Sequence, residues 1–222
     1  DAVTDRTVAM VINSPCNPTG AVYSPEIIAG LAEIAVEKDI FLISDEIYKH
    51  IIFDGARHLS PAAVSEAAKA KTIIVDGVAK TYAMTGWRIG WFIGDERIVK
   101  AAAKFQGQAT SNPNSIAQAA TVEALRGPQD SVAAMRAEFQ RRRDYVVQRL
   151  SAMPGVRCSC PAGAFYAFPD VSEHYGRELG GRTITGSQVM TEYLLDQALI
   201  STVAGDAFGA DHHIRLSFAC SM

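Results

Sequence analysis

The chain has 222 residues, a formal net charge of -3 and a hydrophobic fraction of 48%. That is enough apolar material for a core and enough length for one large domain or two small ones. Near-balanced charge gives no reason to expect nucleic acid or an anionic membrane as partner, no apolar run approaches the roughly 20 residues of a membrane span, and the opening DAVTDRTVAMVINSP lacks the basic-then-apolar pattern of a signal peptide.

In chain order, VAMVIN (8–13) reads as a buried strand and SPCNPTG as the turn after it. Ser24-Pro25-Glu26 opens a helix, with serine as N-cap and proline at the first helical position, and Ile27, Ile28, Leu31, Ile34 and Ala35 share one of its faces. IFLIS (40–44) is the next strand, Ser60-Pro61 caps a helix to about Ala70, and TIIVDG (72–77) and IGWFIG (89–94) are two more strands. This β-α-β rhythm predicts a largely parallel sheet covered by helices. Residues 95–125 read as helical, with a break near Ser111-Asn112-Pro113, and a long amphipathic helix runs from about Pro128 to Met153. Its Arg141-Arg142-Arg143 run is expected on the solvated face, opposite Met135, Phe139, Val146 and Leu150. GVRCSC and GAFYAFPD then read as strands, followed by a helix over about 186–198 and strands near 200–203 and 213–218. The boundary is placed near residue 125, dividing 1–125 from a smaller α+β unit at 126–222. No internal repeat or low-complexity segment is present.

The four cysteines, Cys16, Cys158, Cys160 and Cys220, are too few for a disulfide scaffold of this size. The C-S-C at 158–160 has no second Cys or His pair at ligand spacing, so no metal site is expected, and the two are read as sharing one face of a strand. A reduced, cytoplasmic protein is the expectation.

In open α/β sheets, ligands collect outside the carboxyl ends of parallel strands. VAMVIN ends in the turn holding Asn17. IFLIS ends at Asp45, with Tyr48 three residues on, and TIIVDG ends just before Lys80. An amide, an acid, a phenol and an amine are thereby expected at one sheet edge, although each alone has an ordinary structural use as a cap, a packed ring or a loop lysine. Together they suit pyridoxal 5'-phosphate. That cofactor needs an amine for its aldehyde, an acid at its ring nitrogen, donors at its phenolic oxygen, and cationic or backbone groups at its phosphate. Lys80, Asp45, Tyr48 with Asn17, and Arg88 are of the right types.

The stretches NSPCNPTG, ISDEIY, VAKTYAMTGWRIGW and HIRLSFA resemble those of class I pyridoxal-phosphate aminotransferases, the aspartate aminotransferase superfamily of fold type I. Four motifs in the right order over most of the chain make the resemblance specific. It implies a partial three-layer αβα large domain with a smaller α+β domain after it. It implies that Lys80 joins the cofactor through an imine and shuttles the substrate proton, that Asp45 pairs with the ring nitrogen, and that Tyr48 and Asn17 hold the phenolic oxygen. Arg88 would hold the phosphate, and Arg215 would grip the substrate α-carboxylate with a planar fork that lysine lacks. The activity implied is transfer of an amino group between an L-amino acid and a 2-oxo acid by a homodimer, with the aspartate type as one of the readings that the resemblance allows. Fold type I also hosts lyases, racemases and decarboxylases, and a non-catalytic cofactor-binding module is the alternative from another class. Gly86 and Trp87 are expected to shape the turn after Lys80, Gly20 to complete a turn after Pro18, and His212 and His213 to face solvent.

Three departures from the family stand out. Its Ser-x-Ser-Lys is Gly77-Val78-Ala79-Lys80 here, so phosphate binding leans more on Arg88. Its V-P-G is Val203-Ala204-Gly205, a change expected to affect loop stiffness only. Family members are nearly twice as long. The chain is expected to begin in the middle of the large domain and to lack the closing helix, leaving an exposed sheet edge that dimerisation would cover.

Overall fold

The apolar runs of the first hundred residues build one four-stranded sheet. Its strands β1 (Ala9–Asn13), β2 (Phe41–Asp45), β3 (Thr72–Gly77) and β4 (Gly90–Ile93) lie side by side in chain order. The structure is a computed structural model and describes residues 2–221. β1, β2 and β3 are parallel, with Asn13 beside Asp45 and Asp45 beside Val75. β4 returns antiparallel, with Gly77 beside Gly90. The sheet is therefore mixed. The link from Val78 to Ile89 contains no crossover helix, and an antiparallel return is what so short a connection allows.

Helices α1 (Pro25–Glu37) and α2 (Glu66–Lys71) cover one face of this sheet. Ile12 and Leu42 of the sheet pack there against Ile28, Ala32 and Ala35 of α1 and Ala68 of α2. The period-two alternation of a strand sends Val11, Ile43, Asp45 and Val75 to the opposite face, where Val11 is 69% exposed. The α1 cap forms as the sequence predicts, with the Ser24 hydroxyl accepting the Ile27 amide at 3.4 Å. The helix expected from Ser60 to Ala70 does not form as one piece. A 3-10 turn spans Pro61–Ala63, the chain then extends at Ser65, and the Ser65 hydroxyl caps α2 by accepting the Ala68 amide at 3.1 Å. Ser65 is the second, unread N-cap signal in that stretch.

Helices α3 (Glu96–Ala109) and α4 (Ser115–Arg126) flank the expected break, and the Asn114 side chain caps α4 by accepting the Ile116 amide at 2.9 Å. The long helix is α5 (Asp130–Ser151). Contacts divide the chain into two compact units. One holds the residues up to Pro15 together with Val22–Ala134, and the other holds Cys16–Ala21 together with the chain from Met135 onward. The fold is α/β, built around the mixed sheet.

The second unit uses much shorter strands. β5 (Tyr166–Ala167), β9 (Ile214–Ser217) and β8 (Val203–Ala204) form one small antiparallel sheet, and β6 (Glu178–Leu179) with β7 (Arg182–Thr183) forms a hairpin. Helix α6 (Ser187–Ala198) contributes Met190 to a core with Val171, Ile184 and Ile214. The hairpin went unread, although Gly180-Gly181, with φ of 59° and 76°, is the two-residue turn that such hairpins favour.

Three expectations fail in this unit. GVRCSC is not a strand. Only Arg157 pairs, as an isolated bridge to Asp170, and Cys158 and Cys160 lie outside any strand, so they share no strand face. Arg143 is not on a solvated face. Its side chain is 3% exposed and donates to the Pro161 carbonyl at 3.1 Å and to Asp144 at 2.6 Å. The helix pattern hid this because the carbonyl it meets, that of Pro161, is distant in sequence. His213 does not face solvent. Its ring stacks on Phe168 at 4.8 Å and Nδ1 is buried without a hydrogen-bond partner, while His212 is exposed as expected.

Candidate functional site

In the first unit, Asp45, Tyr48 and Lys80 follow from how β2 and β3 end. Asp45 is the last residue of β2, half-buried, and its Oδ1 accepts the Ile47 amide at 3.1 Å. Oδ2 has no hydrogen-bonding partner among the described residues. Burial pushes this carboxyl up from its ordinary range, the Ile47 amide opposes that, and the charges of Asp76 and Glu46 add to it. Tyr48 lies in the turn over 47–50 and is buried. Lys80 is half-buried in the turn after β3, with Nζ 5.9 Å from the centroid of the Tyr48 ring. The Tyr82 and Ala83 amides close that turn onto the Val78 and Lys80 carbonyls.

Arg88 leaves a 3-10 turn (Thr85–Trp87) in the left-handed region, with φ of 55°, and its Nη1 donates to the Thr85 carbonyl at 3.0 Å. Gly86 and Trp87 form that turn, in line with the expectation. Arg88 is exposed beside an open concavity of about 880 Å³, lined also by Gln106, Asn112, Asn114 and Ile116.

Asn17 and Arg215 belong together in the second unit. Arg215 Nη1 donates to Asn17 Oδ1 at 2.7 Å across most of the sequence. The guanidinium sits over two rings, 4.5 Å from the centroid of Tyr166 and 5.2 Å from that of Phe208. A planar cation held between aromatic faces keeps its fork in one orientation. Gly20 has φ of 68°, and its amide closes the turn onto the Cys16 carbonyl at 2.8 Å. A Cβ at Gly20 would lie 2.3 Å from Pro161 Cβ, so the turn bearing Asn17 fits this unit only with glycine.

Sequence reasoning missed the side chains that brace these residues. Glu46 is buried directly after Asp45, and Oε1 accepts from Ser60 at 2.6 Å and from Ser44 at 3.1 Å. His58 Nε2 lies 3.2 Å from Glu46 Oε2. Burial raises the Glu46 carboxyl, but His58, Ser60 and Ser44 outweigh burial and leave it below its ordinary value. Tyr166 and Phe208, which frame Arg215, were also unread. The signals were weak, since a glutamate after an aspartate or an aromatic in a strand has many uses.

The donor set fits pyridoxal phosphate. A half-buried carboxylate oxygen without a hydrogen-bonding partner suits a protonated ring nitrogen, and a half-buried lysine near a buried phenol suits an aldehyde beside a phenolic oxygen. No group of acidic, histidine and cysteine side chains that could hold a metal ion occurs among the described residues. No helix among them is long and apolar enough to cross a membrane.

The whole chain, residues 1–222, matches the family described as aminotransferase class I and II. It is 44% identical to the aspartate aminotransferase of Bacillus sp. strain YM-2, covering all of this chain and 56% of that protein. It is 45% identical to the probable aspartate/prephenate aminotransferase of Aquifex aeolicus, covering all of this chain and 55% of that protein. The crystal structure of the aspartate aminotransferase from Rhizobium meliloti superimposes with a TM-score of 0.93 at 43% identity, over 99% of this chain and 55% of the other. That of an aromatic aminotransferase from Pyrococcus horikoshii superimposes with a TM-score of 0.90 at 39% identity, over 99% and 57%. The chain thus spans about half the length of the relatives it matches.

Proposed function

Because the chain belongs to the class I and II aminotransferases, we propose that it carries the lysine of a pyridoxal 5'-phosphate enzyme that moves an amino group between an L-amino acid and a 2-oxo acid. The observation that carries this reading is the placement of Lys80, half-buried near the Tyr48 ring, in the turn after β3, the strand that pairs with the one Asp45 ends. When bound, the cofactor supplies an electron sink for the substrate α-carbon. Lys80 would hold it and would move a proton to and from that carbon. Asp45 would pair with the ring nitrogen, whose positive charge would offset the burial that raises the Asp45 carboxyl. Tyr48 would donate to the phenolic oxygen, as would Asn17, and Arg88 would neutralise the phosphate. Arg215 would hold the substrate α-carboxylate through its fork.

The names of the relatives favour an aspartate-type enzyme, with aspartate/prephenate and aromatic substrates as near neighbours. The reading includes a cytoplasmic homodimer, with a large domain to about residue 125 and a small domain from 126. The test is an absorbance spectrum with added pyridoxal phosphate, before and after aspartate, glutamate and aromatic amino acids. A new band, fixed to Lys80 by borohydride and converted to the amine form of the cofactor by an amino acid, supports transamination. Lys80→Ala should abolish the band and the fixed adduct, with activity down by about 10²–10⁴-fold or more. A band that no amino acid converts would leave binding without transfer and sink the activity.

A further inference from the structure

Two turns carry the chemistry of the first unit, and one ion pair joins them. Asp76 lies near the end of β3, shortly before Lys80, and its side chain is 5% exposed. Its Oδ2 meets Lys49 Nζ at 2.6 Å, and its Oδ1 accepts the Gly77 amide at 2.7 Å. Lys49 directly follows Tyr48 in the turn over 47–50, where its amide donates to the Glu46 carbonyl at 2.9 Å. The pair therefore reaches from the turn holding Asp45 and Tyr48 to the strand end that launches the Lys80 turn.

The chemistry of Asp76 makes this tie hard to replace. A carboxylate this buried is costly unless it is both neutralised and hydrogen-bonded, and Lys49 and the Gly77 amide do both. An exposed ion pair of the same length would contribute almost nothing. The strand end also has little slack, since a Cβ on Gly77 would lie 2.8 Å from the Ile89 carbonyl oxygen. A change at Asp76 is thus passed along the backbone toward Lys80 rather than absorbed. On the other side, the Ile51 amide bonds the Tyr48 carbonyl at 2.8 Å, so displacement of Lys49 is passed to Tyr48.

Resting on the assignment of Lys80 above, we propose that Lys49 and Asp76 are positioning residues whose ion pair sets the spacing of the Tyr48 turn from the Lys80 turn. Neither touches the reacting atoms. The pair acts through Tyr48 and Lys80, where a misplacement of about 1 Å can cost on the order of 10²-fold in rate.

The test uses Lys49→Met, Asp76→Asn and Lys49→Arg in the full-length protein, read in two ways. Without cofactor, hydrogen exchange is followed for the amides of 46–51 and of 78–83, with α1 as an internal control. With pyridoxal phosphate, the pH midpoint of the Lys80-linked absorbance band is measured. Lys49→Met and Asp76→Asn should each speed exchange in both segments by about tenfold while leaving α1 unchanged. They should also raise the midpoint, because Tyr48 would no longer hold down the proton affinity of the linkage, and Lys49→Arg should behave as the parent does. Unchanged exchange in either segment overturns the proposal. So does faster exchange with an unmoved midpoint, which would make the pair merely structural. A parent protein that forms no band overturns the cofactor assignment instead, and exchange in the two segments then decides by itself whether the pair joins the turns. If Asp76→Asn does not fold, Lys49→Met still gives both readings, since the Lys49 side chain is 28% exposed and tolerates change better.

Discussion

The two units hold their candidate residues by different means. In the first, Asp45 and Lys80 are placed by where β2 and β3 stop, in a sheet whose strands run four to six residues each. In the second, β5 and β8 are two residues long, and Arg215 is held by the Tyr166 and Phe208 rings and by Asn17. A site placed by strand ends follows a regular hydrogen-bonded ladder. A site placed by side chains depends on each contact separately. Substitutions at the strand-end residues Asp45 and Lys80 should therefore alter chemistry while sparing the fold, and substitutions among the contacts that hold Arg215 and Asn17 should alter both.

The sharpest separation should come from Asp45→Asn. With the proposed role, turnover should fall by about 10²–10³-fold, because a fixed charge at the ring nitrogen is lost. Lysine attachment and melting temperature should stay near the parent's, and near-normal kcat would remove Asp45 from the ring nitrogen.

In the second unit, Arg143→Leu should cost about 1.5–3 kcal/mol, the range for losing a hydrogen bond to a charged group, since the buried Pro161 carbonyl loses its guanidinium donor. Denaturant melts would show it, and an unchanged midpoint would mean that the Pro161 carbonyl finds another donor. Gly20→Ala should destabilise by about 1–3 kcal/mol through left-handed strain and the close approach to Pro161. It should also loosen the turn bearing Asn17, and a fully stable variant would contradict that packing.

The smallest effect is a change in the shape of a pH curve. Glu46 titrates below its ordinary value of 4.5 in the folded protein, so its contribution is fully present above about pH 4.5 and is lost as pH falls through the lower, folded value. Asp45 runs the other way, because its raised carboxyl favours the protonated folded form and its burden grows as pH rises above 3.8. Glu46→Gln should flatten the loss of stability on acidification, measured by melting between about pH 3 and 6. An unchanged acid limb would mean that other carboxylates, such as Asp170, held low by Ser172 and Arg157, carry it.

Legibility follows the same division. The sheet was readable because buried parallel strands are continuous apolar runs, and TIIVDG became β3 over the same residues. The Ser65 break and the β6–β7 hairpin each had a local signal that the broader pattern overrode. Arg143 and His213 had none, since each meets its partner, the Pro161 carbonyl and the Phe168 ring, far away in the chain. Among the site residues, the types and order of Asn17, Asp45, Tyr48, Lys80, Arg88 and Arg215 were visible. Their support by Glu46, Lys49, Asp76, Tyr166 and Phe208 was not.

The sequence by itself determined the α/β class, the strands of the main sheet, the family and the residue types offered to a cofactor. All of these depend on local periodicity, capping and motif order, which are written along the chain. Only the tertiary structure decided that Arg215 reaches Asn17, that Lys49 closes on Asp76, and that one arginine of three is buried. Those are pairings between distant segments, and hydrophobic periodicity carries no information about which buried polar groups will meet.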